Sequence, residues 1–522
     1  MDMSYYDSVR DRSVVQMVRD ALAWPDNDVV AIFPSGELTR DVLAQRCDAL
    51  RDELVGRGVR PQSRVAYVGN PDACIMIAQF AIALAGGVPV PLPERSSQDA
   101  WADLVSVTGA SFVVCETGRR DRVASMMEDR GLVLPVIEVA PDGTLVSPLG
   151  AQPCSDYECT PSDLAEVVLS SGSTGTPKAF AFTQDVEYYF VSTWLQIYGE
   201  REGGRFLSVG LSGCMHSLLS CLLRREVFVA YAAPMTAADF ARTIERHRIT
   251  DAFVPPFILD DLADLYIEGD IDFSSLQRIA YAGQAMPASE KQAIAQKVDC
   301  ELVQFYGNTE SGLLACLGPD DHRSGDVGIL ASAGVPFSNL GTCIQVWDFN
   351  TGEPLGAGAI GRVMVRGRGV TRRIMGADAD FMVVDGWRDT EDAGYLDESG
   401  RLYVKGRACD ALAGRDGVLF AIDIEGSVLS HSAVSAGSVQ VVADAAGAKH
   451  VFAWVELASG ENLQPELFAI GLARDCGISE SLVHVTVLDE IPRLPRPPYK
   501  VDKSLLKGEA LAVLNGTMSA TA

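Results

Sequence analysis

The usual metal-binding spacings are missing from this sequence: its 12 cysteines include no Cys-x-x-Cys pair, and its six histidines no His-x-x-x-His. That argues against a structural zinc module or a disulfide scaffold and for a reducing, cytoplasmic setting. Positive charge is also scarce. Lys and Arg number 43 against 70 Asp and Glu, a formal net charge of −27. Such a surface repels polyanions, so nucleic-acid or anionic-membrane binding is not expected, while one local basic nucleotide site remains compatible. The start, MDMSYYDSVRDR, carries charges throughout and has no apolar core, unlike a secretory signal. No unbroken membrane span is present either. Residues 73–93 are uncharged, but Gly86, Gly87, Pro89, Pro91 and Pro93 break them, leaving a buried helix over 73–85. No solenoid-type repeat is found.

What is present is ordinary globular composition, 48% hydrophobic and 22% charged over 522 residues, a length for two to four domains. Apolar spacing predicts a helix over 38–56 and strands at 64–68, 88–92, 112–115, 132–139, 167–169, 227–230 and 251–254. This βα alternation predicts an α/β fold with mostly parallel, helix-covered sheets. From about Gly325 the texture changes to short strands (343–347, 362–366, 402–404) between glycine turns, as in a small β-barrel. After Arg407 a compact α+β unit of about a hundred residues follows. The expected division is therefore 1–407 (with 325–405 barrel-like), 408–508, and a frayed tail 509–522.

The most informative segment runs from Leu169 to Lys178. A strand leads into Ser170, Ser171, Gly172, Ser173, Thr174, Gly175 and Thr176, then Pro177 and Lys178. Small residues let backbone N–H groups approach an anion, hydroxyls add donors, and the lysine adds charge: a phosphate cradle. It is not a Walker loop, because Pro177 precedes the lysine and Ala179 follows it.

With further segments in order, the chain resembles the adenylate-forming superfamily of acyl-CoA synthetases, aryl-acid ligases and peptide-synthetase adenylation domains. Those segments are Ala85 to Leu92, Tyr281-Ala282-Gly283-Gln284-Ala285, Tyr306-Gly307-Asn308-Thr309-Glu310, Thr390-Glu391-Asp392, Gly406-Arg407 and Leu494 to Lys503. The resemblance implies ATP and Mg²⁺ as cofactors, and a mobile C-terminal domain. It implies that Tyr306, Gly307 and Asn308 lie along adenine, that Thr309 meets the α-phosphate, and that Glu310 holds Mg²⁺. Hard carboxylate oxygens suit that ion. Gly283, Gln284 and Ala285 would pass the adenine, with Tyr281 and Gly283 also beside the acyl group. Asp392 and Arg407 would take the ribose hydroxyls. Lys500 would meet the substrate carboxylate and α-phosphate, where negative charge builds.

Departures from the family pattern are specific. Glutamate (Glu391) replaces the glycine of Thr-Gly-Asp, Cys409 stands at the hinge position, and Ala413 replaces a frequent lysine. Pro497 and Tyr499 replace the Thr and Gly ahead of the catalytic lysine. The stretch 208–224 resembles the start of the acyl pocket, and it carries no aspartate to hold an α-ammonium. An acid without an α-amino group is therefore expected, with an aromatic acid in view and His216 as a pocket hydrogen-bond donor. The expected reaction forms acyl-AMP and pyrophosphate, then transfers the acyl group to CoA, a trans-acting carrier-protein pantetheine, or an amine. A catalytically silent nucleotide-binding subunit is the alternative of another class, motivated by Glu391, Cys409 and Ala413; a phosphate-loop hydrolase is disfavoured by Pro177.

Overall fold

The computed structural model describes residues 12–24, 28–94, 96–170, 178–199, 203–209, 215–231, 236–371, 374–376, 383–415, 417–492 and 501–516. The chain divides into two units, Met1–Ile344 with Val365–Arg388, and Gln345–Met364 with Asp389–Ala522.

In the first unit, Arg64–Val68, Val88–Pro91, Phe112–Glu116 and Val136–Val139 form an all-parallel sheet with Val88–Pro91 at its edge. The edge position explains how that strand tolerates Pro89 and Pro91, which cannot donate to a neighbour on both sides. The preceding uncharged run is the helix Ala73–Leu84, capped by the Asp72 carboxylate and buried along its whole length. It is a core helix, as its interrupting glycines and prolines predict. Among the described residues no helix is long and apolar enough to cross a membrane.

A second, nine-stranded sheet has six parallel strands at its centre: Val29–Phe33, Val227–Ala230, Arg205–Ser208, Asp251–Phe253, Arg278–Tyr281 and Glu301–Asn308. Antiparallel strands close both edges, among them Gly312–Leu317 against Glu301–Asn308. Helices Arg40–Gly56, Gln184–Tyr198 and Met215–Leu223 contribute to the largest core, with Leu43, Leu50, Tyr189, Leu195 and Leu218 buried in it. The mostly parallel, helix-covered α/β architecture is thus as expected. Individual strands shift by a few residues; the one expected over 132–139 begins only at Val136, after Pro135.

The second unit contains the sheet Val434–Ala443, Lys449–Leu457 and Val483–Val487, with helices Ala421–Leu429, Pro465–Cys476 and Lys503–Leu514. The last helix corrects one expectation. Residues 509–514, read as the start of a frayed tail, are helical, because Leu506 and Ala510 pack against Val442, Phe452, Trp454 and Ile491. Gly508 lies within that helix and does not end it.

Candidate active site

The segment read as a phosphate cradle joins two antiparallel strands, Leu164–Leu169 and Ala179–Thr183, paired at Leu169 and Ala179. Ser170 N–H donates to the Lys178 carbonyl at 3.0 Å, pinching the mouth of the connection. Ser171, Gly172, Ser173, Thr174 and Gly175 lie outside the described residues, as does Lys500. The Lys178 side chain is exposed.

Tyr306, Gly307 and Asn308 end the strand Glu301–Asn308, and Thr309 and Glu310 form the turn into Gly312–Leu317. A Cβ on Gly307 would lie 2.1 Å from the Gly312 carbonyl oxygen, so only glycine permits this close turn. The Asn308 carboxamide oxygen accepts from Ser311 N–H at 2.8 Å and fixes the next step. Tyr189, whose hydroxyl bonds Thr342 Oγ1 at 2.6 Å, braces the turn from the helix Gln184–Tyr198; its ring occupies the space a side chain on Gly369 would need.

Thr371 joins the two segments. Its backbone N–H donates to the Glu310 carbonyl at 2.9 Å, and its hydroxyl donates to the Ala181 carbonyl at 2.9 Å. The strand leaving the phosphate hairpin is therefore tied, at Ala181, to the Glu310 turn through one threonine. Met375 N–H adds a second tether at the Ala179 carbonyl, 2.9 Å away. The Glu310 carboxylate is half-buried and makes no hydrogen bond or ion pair among the described residues, so its hard oxygens are available. That fits a Mg²⁺ ligand.

Gly283, Gln284 and Ala285 form an exposed loop just after the strand Arg278–Tyr281. The Tyr281 ring turns into the core, where its hydroxyl lies 2.8 Å from His322 Nε2. His322 Nδ1 is 2.8 Å from the Gly318 carbonyl. A carbonyl only accepts, so Nδ1 carries the proton and Nε2 accepts from Tyr281. Burial pulls the His322 pKa down to about 4. A folded pKa below the unfolded value means the unfolded chain binds the extra proton first. Stability from this group is then present above about pH 6.5 and lost as the pH falls toward 4. We expect His322→Gln to remove about 2 kcal/mol of the stability difference between pH 7 and pH 4.5. Urea unfolding of both proteins at both pH values tests this; equal differences would refute it.

In the second unit, Asp392 and Arg407 are directly opposite in the hairpin formed by Trp387–Leu396 and Leu402–Arg407. Arg407 Nη1 lies 3.4 Å from Asp392 Oδ1, with the carboxylate largely covered and the guanidinium half exposed. Register alone thus sets the expected ribose pair side by side. Glu391, standing where the family has glycine, keeps a left-handed backbone with φ of 65°. That is a region of backbone space that favours glycine. Glu391→Gly should relieve that strain and raise stability by about 0.5–1 kcal/mol, measured by denaturant unfolding. A loss of stability would show that Glu391 is held by interactions stronger than its 3.8 Å approach to Arg407.

His216 is buried in the helix Met215–Leu223, between the Phe190 and Trp194 rings at 5.0 and 5.9 Å. Its Nδ1 faces two buried carboxylates, Glu187 at 3.5 Å and Glu166 at 3.7 Å. A cleft of about 810 Å³ lined by Leu164, Ala181, Thr183, Arg366, Arg368 and Thr371 includes none of the expected site residues. Sequence reasoning missed Thr371, Glu166 and Glu187. Thr371 follows a Gly-Arg-Gly-Val stretch that signals only a turn.

A family model described as "AMP-binding enzyme" matches residues 18–375. A fatty acid–[acyl-carrier-protein] ligase, ScoC, of Streptomyces coeruleorubidus is 25% identical over 482 residues, covering 88% of this chain and 89% of its own. A feruloyl-CoA synthase of Amycolatopsis sp is 25% identical over 416 residues, covering 78% and 81%. The solved amide bond synthetase McbA of Marinactinospora thermotolerans superposes with a TM-score of 0.77 at 24% identity, over 95% of this chain and 99% of that one.

Proposed function

Because the chain belongs to the AMP-binding enzyme family, we propose that it is an adenylate-forming ligase that activates a carboxylic acid and transfers its acyl group to a thiol or an amine. The observation that carries this reading is the Thr371 bridge, which holds the hairpin of the phosphate loop against the Glu310 turn. In the first step a carboxylate oxygen attacks the α-phosphorus of ATP, and pyrophosphate leaves. Lys178 and Lys500 supply cations, Thr309 a hydroxyl to the α-phosphate, and Glu310 the ligand for Mg²⁺. Bound there, Mg²⁺ would neutralise phosphate charge. Asp392 accepts from the ribose hydroxyls and Arg407 adds a donor. In the second step the acceptor attacks the acyl carbon, AMP leaves, and the acceptor's proton is released. Neither step needs a protein nucleophile, so positioning and electrostatics supply the rate.

The mobile domain begins after Arg407 in this reading, with Cys409 as its pivot. Cys409 is exposed in the short turn Ala408–Asp410, where a pivot residue has room to change its backbone angles. The acid lacks an α-amino group, since no aspartate occurs between Ser208 and Leu223. The relatives divide by name into an acyl-carrier-protein ligase, a CoA synthase and an amide bond synthetase. ATP–pyrophosphate exchange across aryl, fatty and amino acids identifies the acid; CoA, carrier protein and amines offered in parallel identify the acceptor. Nucleotide binding with no exchange for any acid would favour the silent-subunit reading.

A further inference from the structure

Three elements bring Glu166, Glu187 and His216 together inside the first unit. Glu166 lies on the strand Leu164–Leu169, Glu187 in the first turn of the helix Gln184–Tyr198, and His216 near the start of Met215–Leu223. Both glutamates are 0% exposed and the histidine 8%. Yet both oxygens of each carboxylate, and His216 Nδ1, find no hydrogen-bond partner among the described residues. Apolar groups stand among their described neighbours: Phe182 is the strand partner of Glu166, and Phe190 and Trp194 flank the imidazole. One ligand atom from each residue falls within 4.8 Å of the other two, and no other such trio occurs among the described residues.

A direct charge-assisted hydrogen bond would bring imidazole nitrogen and carboxylate oxygen to about 2.8 Å. The observed separations are 3.5 and 3.7 Å, too long for that bond. They lie close to the edge of a coordination tetrahedron. With metal–ligand bonds of about 2.0–2.2 Å, tetrahedral ligands stand roughly 3.3–3.6 Å apart. Charge agrees as well, since two carboxylates and a neutral imidazole around a dication sum to zero. The nitrogen ligand disfavours Mg²⁺ and Ca²⁺, which take oxygen, and suits Zn²⁺ or a similar borderline ion.

We propose that Glu166, Glu187 and His216 form a buried site for one divalent transition-metal ion of the Zn²⁺ class, separate from the Mg²⁺ ligand Glu310. Glu166 precedes Ser170 by four residues on the strand entering the phosphate loop. The ion therefore clamps that strand to the two helices, one of which, Met215–Leu223, lies within the stretch read as the acyl pocket. The site stands whether or not the ligase reading does.

The test uses the full-length chain with any affinity tag removed, stripped by chelator, reloaded with Zn²⁺ and desalted before elemental analysis. Wild type should retain one Zn²⁺ per chain and gain thermal stability on loading. Glu166→Gln and Glu187→Gln should bind at least ten-fold more weakly and show no gain. Retention of less than stoichiometric Zn²⁺ by wild type, or equal retention by folded variants, overturns the site. Should a variant fail to fold, Co²⁺ titration of wild type decides. Intense visible bands of four-coordinate Co²⁺ saturating at one equivalent support the site; their absence means the trio shares protons instead.

Discussion

Lys500→Ala should reduce acid-dependent ATP–pyrophosphate exchange by about 10²–10³-fold while leaving nucleotide affinity within a few-fold of wild type. The reason is where the charge develops. A carboxylate approaching a triphosphate faces repulsion, and the pentacoordinate phosphorus gathers more negative charge than either reactant. A cation matched to that charge acts chiefly on the barrier, so kcat falls more than affinity. If Lys500→Ala retains full exchange, another cation performs this role and the reading of the C-terminal segment fails.

Glu310→Gln is expected to cost about 10²-fold in exchange and to raise the Mg²⁺ concentration needed for half-maximal rate. The amide keeps the shape of the side chain but removes its charge. The Glu310 backbone, held by Thr371 N–H at 2.9 Å, does not depend on the carboxylate, so folding should be untouched. A Mg²⁺ titration of both proteins separates the outcomes. A lower rate with an unchanged Mg²⁺ requirement would assign Glu310 a role other than ion binding.

The sequence declared those parts of the fold whose physics is local. The uncharged run ending in Gly86-Gly87 could only be a buried helix, and Ala73–Leu84 is one. Val483–Val487 and Cys343–Trp347 have the bounds their apolar runs suggest. The segments expected to meet the nucleotide stood out because glycines and hydroxyls crowd in them, as suits backbone approaching an anion. Other features depend on distant partners and leave no local trace. Thr371 matters through carbonyls 61 and 190 residues away in sequence. Glu166 lies just outside the strand expected over 167–169, and Glu187 is one of two acids in a first helical turn. Only the fold shows that both point inward at His216. The absence of ligand spacings such as Cys-x-x-Cys was real, and it could not reveal a trio assembled from three elements. The final helix was misread because small residues after Gly508 look like a tail until Trp454 and Phe452 are seen beneath them.

The central claim is that the Ser170–Lys178 connection and the Tyr306–Glu310 turn grip one triphosphate. A crystal structure of the protein with Mg²⁺ and a non-hydrolysable ATP analogue tests it most directly. The account predicts phosphates contacted by the Ser/Thr/Gly loop on one side, with the ion on the Glu310 carboxylate at the other. A nucleotide seated on only one of these segments, or away from both, would contradict it.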